Sequence, residues 1–123
     1  MEPLILKETE DTPEIIFNPE ENIFKISKIS VPEDAFQFYE PILTWLKNYE
    51  KNPNPETIVN FDLEYVNTAS SKQLIQIMLL LEKIAEKSKV TIKWYYEAID
   101  EDMQSLGERY NKLVKVNFEF IEI

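Results

Sequence analysis

Alternation of apolar and polar side chains marks two segments of this chain as half-buried strands, Thr57–Tyr65 and Val90–Tyr96. In the first, Val59, Phe61, Leu63 and Tyr65 share one face, while Asn60, Asp62, Glu64 and Val66 occupy the other. Shorter β-type runs stand at Leu4–Leu6, Ile15–Phe17, Ile23–Ile26 and Phe118–Ile123. Between the second and third of these, Asn18-Pro19-Glu20-Glu21-Asn22 carries a proline where a type I turn wants φ of about −65°, which predicts a hairpin. Helical spacing governs Ala35, Phe38, Tyr39, Ile42, Leu46 and Tyr49, and Ser30-Val31-Pro32-Glu33 has the form of a capping box, placing a helix start there. Pro41 removes one hydrogen bond to the Gln37 carbonyl, so a kink or two short helices meeting at that point is expected. Asn52-Pro53-Asn54-Pro55 reads as a surface loop. Leu74, Ile77, Met78, Leu81, Ile84 and Ala85 form the core stripe of a second helix, and Met103, Leu106, Tyr110 and Leu113 that of a third. A hairpin followed by strands alternating with helices predicts an α/β fold in one domain over residues 1–123. Its mixed sheet would have about five to six strands, with about three helices mainly on one face and the other face largely wet.

Composition narrows the chemistry. The chain has no His and no Cys, so it has no imidazole base, phosphohistidine, thiolate nucleophile or zinc site of the usual ligands. Gly107 is its one glycine, which removes the Gly-rich phosphate loops of nucleotide-binding folds. A net charge of −10 opposes phosphate backbones and anionic lipid surfaces, so neither nucleic acid nor membrane is expected as a partner. Met1-Glu2-Pro3-Leu4 has no basic region leading into an apolar run, and no apolar stretch approaches the ~18 residues of a membrane span. The cytoplasm is the expected compartment, and no cofactor is expected.

The junction after Tyr65 concentrates the candidate chemistry. Asn67-Thr68-Ala69-Ser70-Ser71-Lys72 puts three hydroxyls and an amide at one helix entrance, where unpaired N–H groups and a partial positive charge would hold a phosphate. Two readings stand: a charge-controlled switch, or capping alone, since Ser70 with Gln73 is itself a capping-box pattern. Ile75 and Leu79 fall outside the core stripe among Glu82 and Glu86, either as second-layer packing or as an apolar contact for another protein. Asp62 and Glu64 could help hold Mg²⁺ or act as an acid/base pair, although a solvated strand face explains them more simply. Asp100-Glu101-Asp102 suits the positive end of the third helix and lacks the glycine and spacing of a calcium loop, so no metal is assigned.

The run Phe61–Lys72, with Glu33-Asp34-Ala35, Phe38-Tyr39-Glu40-Pro41-Ile42-Leu43 and Trp94-Tyr95-Tyr96-Glu97, resembles the SiaC family of small bacterial regulatory phosphoproteins over nearly the whole chain. That family is similar to the STAS domains of anti-sigma-factor antagonists, whose junction Ser or Thr is phosphorylated by a partner-switching kinase and released by a PP2C-type phosphatase. The resemblance implies that Thr68 is the acceptor, with Asn67, Ser70, Ser71, Lys72, Asp62 and Glu64 around it. It further implies that the unphosphorylated form binds and activates a diguanylate cyclase in cyclic di-GMP signalling, and that relatives carry glycine where Lys28 stands here. A constitutive scaffold and a small acid/base enzyme using Asp62 and Glu64 are the alternatives.

Overall fold

The computed structural model describes residues 1–123. Its elements are β1 (Leu4–Leu6), β2 (Glu14–Asn18), β3 (Ile23–Ser30), α1 (Ala35–Glu50), β4 (Glu56–Val66), α2 (Thr68–Ile84), β5 (Lys89–Tyr96), α3 (Glu101–Leu113) and β6 (Asn117–Glu122). All six strands join one sheet in the order β1-β2-β3-β4-β5-β6. The first three pair antiparallel and β3 to β6 pair parallel. The predicted hairpin is present, closed where the Asn22 N–H donates to the Pro19 carbonyl at 3.2 Å, with Asn22 at φ 57.

Each parallel crossover steps one strand in the same direction, and crossovers are right-handed, so the three helices collect on one face of the sheet. Beneath them lies the core. Phe17, Phe24, Phe61 and Trp94 from the strands meet Tyr39, Tyr49, Leu74, Ile77 and Tyr110 from the helices, all essentially buried. Across the opposite face, the pairing register lines up Ile5, Ile16, Lys25, Asn60, Lys93 and Glu119 in one row, half-buried to exposed. This is the one-sided, partly wet sheet that the alternation predicts. No helix is long and apolar enough to cross a membrane.

Three local expectations are corrected. Ser30 does not cap α1: it ends β3 with its side chain fully buried, and the cap is Asp34, whose carboxylate accepts from the Gln37 N–H at 3.0 Å. At Pro41 the two short helices do not occur: α1 is one helix from Ala35 to Glu50, and Gln37 and Pro41 both lie on its exposed side, where water can satisfy the orphaned carbonyl. Tyr65 does not join the buried face of β4 but is 59% exposed. The cause is a bulge: Lys28 pairs with Leu63 and Ile29 with Tyr65, so Glu64 is the extra residue and the alternation slips. Opposite it, Lys28 takes φ 82, a left-handed conformation natural to glycine, at the position where the family resemblance leads one to expect glycine.

Candidate functional site

The bulge sits just before the β4–α2 junction and re-aims the backbone that delivers Thr68. Asn67, in extended conformation at φ −79 and ψ 170, is the N-cap of α2, and its Oδ1 accepts from the Ser70 N–H at 2.8 Å. Its own N–H donates to the Ser30 carbonyl at 3.0 Å, tying the junction to the end of β3. The expectation that Ser70 caps this helix is thus overturned, because the amide three residues earlier already fills that role.

The three hydroxyls have three different situations. Ser70 is fully buried, and its Oγ accepts from Ser30 Oγ at 2.9 Å, which in turn shares a 2.6 Å bond with the Tyr39 hydroxyl. With the Ser30 proton committed to Ser70, the Tyr39 O–H must be the donor of that second bond. Ser71 is half-buried; its Oγ donates to the Thr68 carbonyl at 3.1 Å and its carbonyl accepts from the Tyr110 hydroxyl at 2.8 Å. Thr68 is exposed, and its hydroxyl has no hydrogen bond to the rest of the protein. Burial pushes the Tyr39 phenol up to about 12, the Ser30 bond offsetting part of it, and pushes Tyr110 well above the ordinary tyrosine value. Both remain protonated donors around neutrality, and together they clamp the first turn of α2 to α1 and α3.

A cleft of 320 Å³ separates the junction from α3 and is lined by Glu64, Thr68, Asp100, Asp102 and Arg109 among others. Asp100 caps α3, accepting from the Met103 N–H at 3.0 Å. Asp62 lies outside this cleft; with Glu64, Tyr95, Tyr96 and Asp100 it lines a neighbouring one of 250 Å³. Lys72 lines an adjoining groove with Asp34, Phe36 and Gln73 and is absent from the Thr68 cleft. The structure therefore brings Glu64, Asn67, Ser71 and Thr68 together and leaves Asp62 and Lys72 outside their cleft. Sequence reasoning missed Arg109, the chain's one arginine, and the anchoring role of Tyr110, which reads as an ordinary core position.

Along α2, Thr68, Lys72, Ile75 and Leu79 recur at spacings that put them on one outward ridge, about 100° per residue around the helix. The pair Ile75 and Leu79 is divided on it: Ile75 is half-buried against the core, whereas Leu79 is 43% exposed. Leu79 lies toward the far end of α2 beside Lys115, whereas Phe36, Tyr65 and Ile99, at 64%, 59% and 87% exposure, stand in segments at or after the carboxyl ends of β3, β4 and β5, the end that carries Thr68.

Over its full length the chain superposes on SiaC of Pseudomonas aeruginosa with a TM-score of 0.89, at 21% identity and covering 100% of both chains. The same score and identity hold against the crystal structure of the diguanylate cyclase SiaD in complex with its activator SiaC from that organism, with 98% of this chain and 99% of that one covered. An uncharacterized protein of P. aeruginosa strain UCBPP-PA14 is 23% identical over 113 residues, 91% of this chain and 90% of the relative. These likenesses reproduce the six-stranded sheet, its N-terminal hairpin and the three helices. The family model described as SiaC family regulatory phosphoprotein matches residues 6–123, and the chain accordingly belongs to that family.

Proposed function

We propose that this chain acts as one non-enzymatic signalling domain over residues 1–123, working in the cytoplasm, whose docking to a diguanylate cyclase is switched off by phosphorylation of Thr68. The observation that carries this is the division of labour among the junction hydroxyls: Ser70 and Ser71 are committed to holding α2, and Thr68 alone is exposed and uncommitted. A kinase can reach it without unfolding the helix entrance. The cyclase is inferred from the SiaD complex of the P. aeruginosa relative, and a Ser/Thr kinase and a PP2C-type phosphatase are the enzymes that would write and erase the mark.

The electrostatics follow from the geometry. Phosphate adds roughly 1.5–2 negative charges at Thr68. The α2 N-terminus tolerates that charge, so folding survives. A partner seated on the ridge of Thr68, Lys72, Ile75 and Leu79, with Phe36 and Tyr65 at its edge, meets instead a bulky dianion beside Glu64 and Asp102. The test is to map phosphate on the protein from its native cells, then titrate unmodified and Thr68-phosphorylated protein against the cyclase of the same organism. Phosphorylation is expected to weaken binding by at least about tenfold with the fold intact. Equal binding by both forms, or a bare Thr68 under all growth conditions, would refute the switch and favour a constitutive scaffold.

A further inference from the structure

We infer that Arg109 is the internal receptor for the phosphate on Thr68, so that the modified protein closes an ion pair between α2 and α3; this rests on Thr68 being the acceptor. Arg109 lines the same 320 Å³ cleft as Thr68. On α3, Asp102, Ser105, Leu106 and Arg109 follow helical spacing and all line that cleft, so the guanidinium belongs to the face turned toward the junction. The separation of the two helices is held by the next residue, Tyr110, whose hydroxyl donates to the Ser71 carbonyl at 2.8 Å, three residues beyond Thr68.

Arg109 is also unspent. The protein's ion pairs are Lys25 with Glu14, and Lys83 and Lys87 with Glu50; Arg109 has no carboxylate within bonding range although Glu64, Asp100 and Asp102 line its cleft. Asp100 is engaged in capping α3. A guanidinium presents a planar fork matched to two phosphate oxygens, and a phosphate dianion outcompetes a solvated carboxylate for it. Lys72, one turn further along the same ridge of α2, lines the adjoining groove with Asp34 and Gln73 and not the cleft that Thr68 shares with Arg109. Phosphorylation on this reading does two things: it repels the partner, and it draws α3 onto the junction.

The experiment is a ³¹P NMR pH titration of protein carrying phosphothreonine at residue 68, installed by genetic encoding so that it does not depend on the native kinase. Wild type, Arg109→Gln and Arg109→Lys are compared with the urea-unfolded wild-type chain. In the folded wild type the second phosphate pKa is expected to lie about half a unit or more below the unfolded reference. Arg109→Gln should return most of that shift, and Arg109→Lys should retain part of it. Arg109 is exposed and makes no hydrogen bond, so these variants keep the fold, which circular dichroism checks. A phosphate pKa identical in wild type and Arg109→Gln would overturn the proposal. Absence of phosphate on Thr68 in cells would instead overturn the acceptor assignment and leave this readout standing.

Discussion

Lys28 holds a left-handed backbone, φ 82, across from the bulge at Glu64. A side chain with a Cβ is strained there, and glycine is not. Lys28→Gly is therefore expected to stabilise the protein by about 1 kcal/mol, the relief of strain exceeding the extra chain entropy of the unfolded glycine. Urea unfolding measures it, and a loss of stability would mean that the lysine side chain contributes more than its backbone costs. Positive φ at a lysine leaves no trace in the hydropathy pattern; only the glycine that the resemblance implies for relatives marks that position. The hydroxyls teach the same lesson. Ser30-Val31-Pro32-Glu33 and Ser70 with Gln73 both have the spacing of capping boxes, yet in both cases an Asp or Asn nearby takes the cap and the serine turns inward to bond the other. Local spacing identifies residues able to cap; which one does so depends on where the neighbouring strand ends.

At the scale of elements, the strands and helices were legible because periods of two and of about 3.6 residues both report burial on one side. What was not legible were interactions between elements distant in sequence, such as the Ser30–Tyr39–Ser70 chain and the contact of Tyr110 with Ser71, and with them the location of the cleft. Gly107 belongs to this class. Inside α3 a glycine weakens the helix by about 1 kcal/mol relative to alanine, so propensity alone favours replacing it. Yet a Cβ at that position would lie 2.5 Å from the buried Trp94 indole and 2.9 Å from the Phe120 ring. Gly107→Ala is accordingly expected to destabilise by about 2 kcal/mol, because α3 must be lifted from β5 and β6. Urea unfolding followed by tryptophan fluorescence reads the change, and a stabilised variant would show that α3 is free to shift. The same displacement would loosen the cleft that Arg109 and Thr68 share.

For the whole molecule, the buried phenols set the alkaline limit. Tyr39 is raised from 10.0 to about 12 by burial, and Tyr110 is raised by the same cause. A raised folded-state value means that the native protein keeps protons which the unfolded chain releases. That stability is fully present below pH 10.0 and is lost as pH climbs through the folded values. The urea midpoint is expected to fall as pH rises from 10.0 to about 12, and Tyr39→Phe should flatten part of the slope. An unchanged slope in that variant would mean that Tyr39 is not the group responsible.

The sheet order, in which β1 to β6 lie side by side as they follow in the chain, bears on how the protein is made. Every strand pairs with the one translated just before it, and no later strand has to be inserted between two earlier ones. As the polypeptide leaves the ribosome, the sheet can grow at one edge, each helix covering the strands already laid down. Each parallel pairing still closes a long loop, as when Phe24 meets Val59 or Ile92 meets Phe118, so the ordered growth spares the chain insertions but not the entropy of each crossover. Until β6 arrives, however, β5 is the growing edge, and Trp94 lacks the cover of Phe118 and Phe120. A nascent chain stalled before residue 117 would thus leave Trp94 covered by α3 but not by β6, and chaperone capture should peak there.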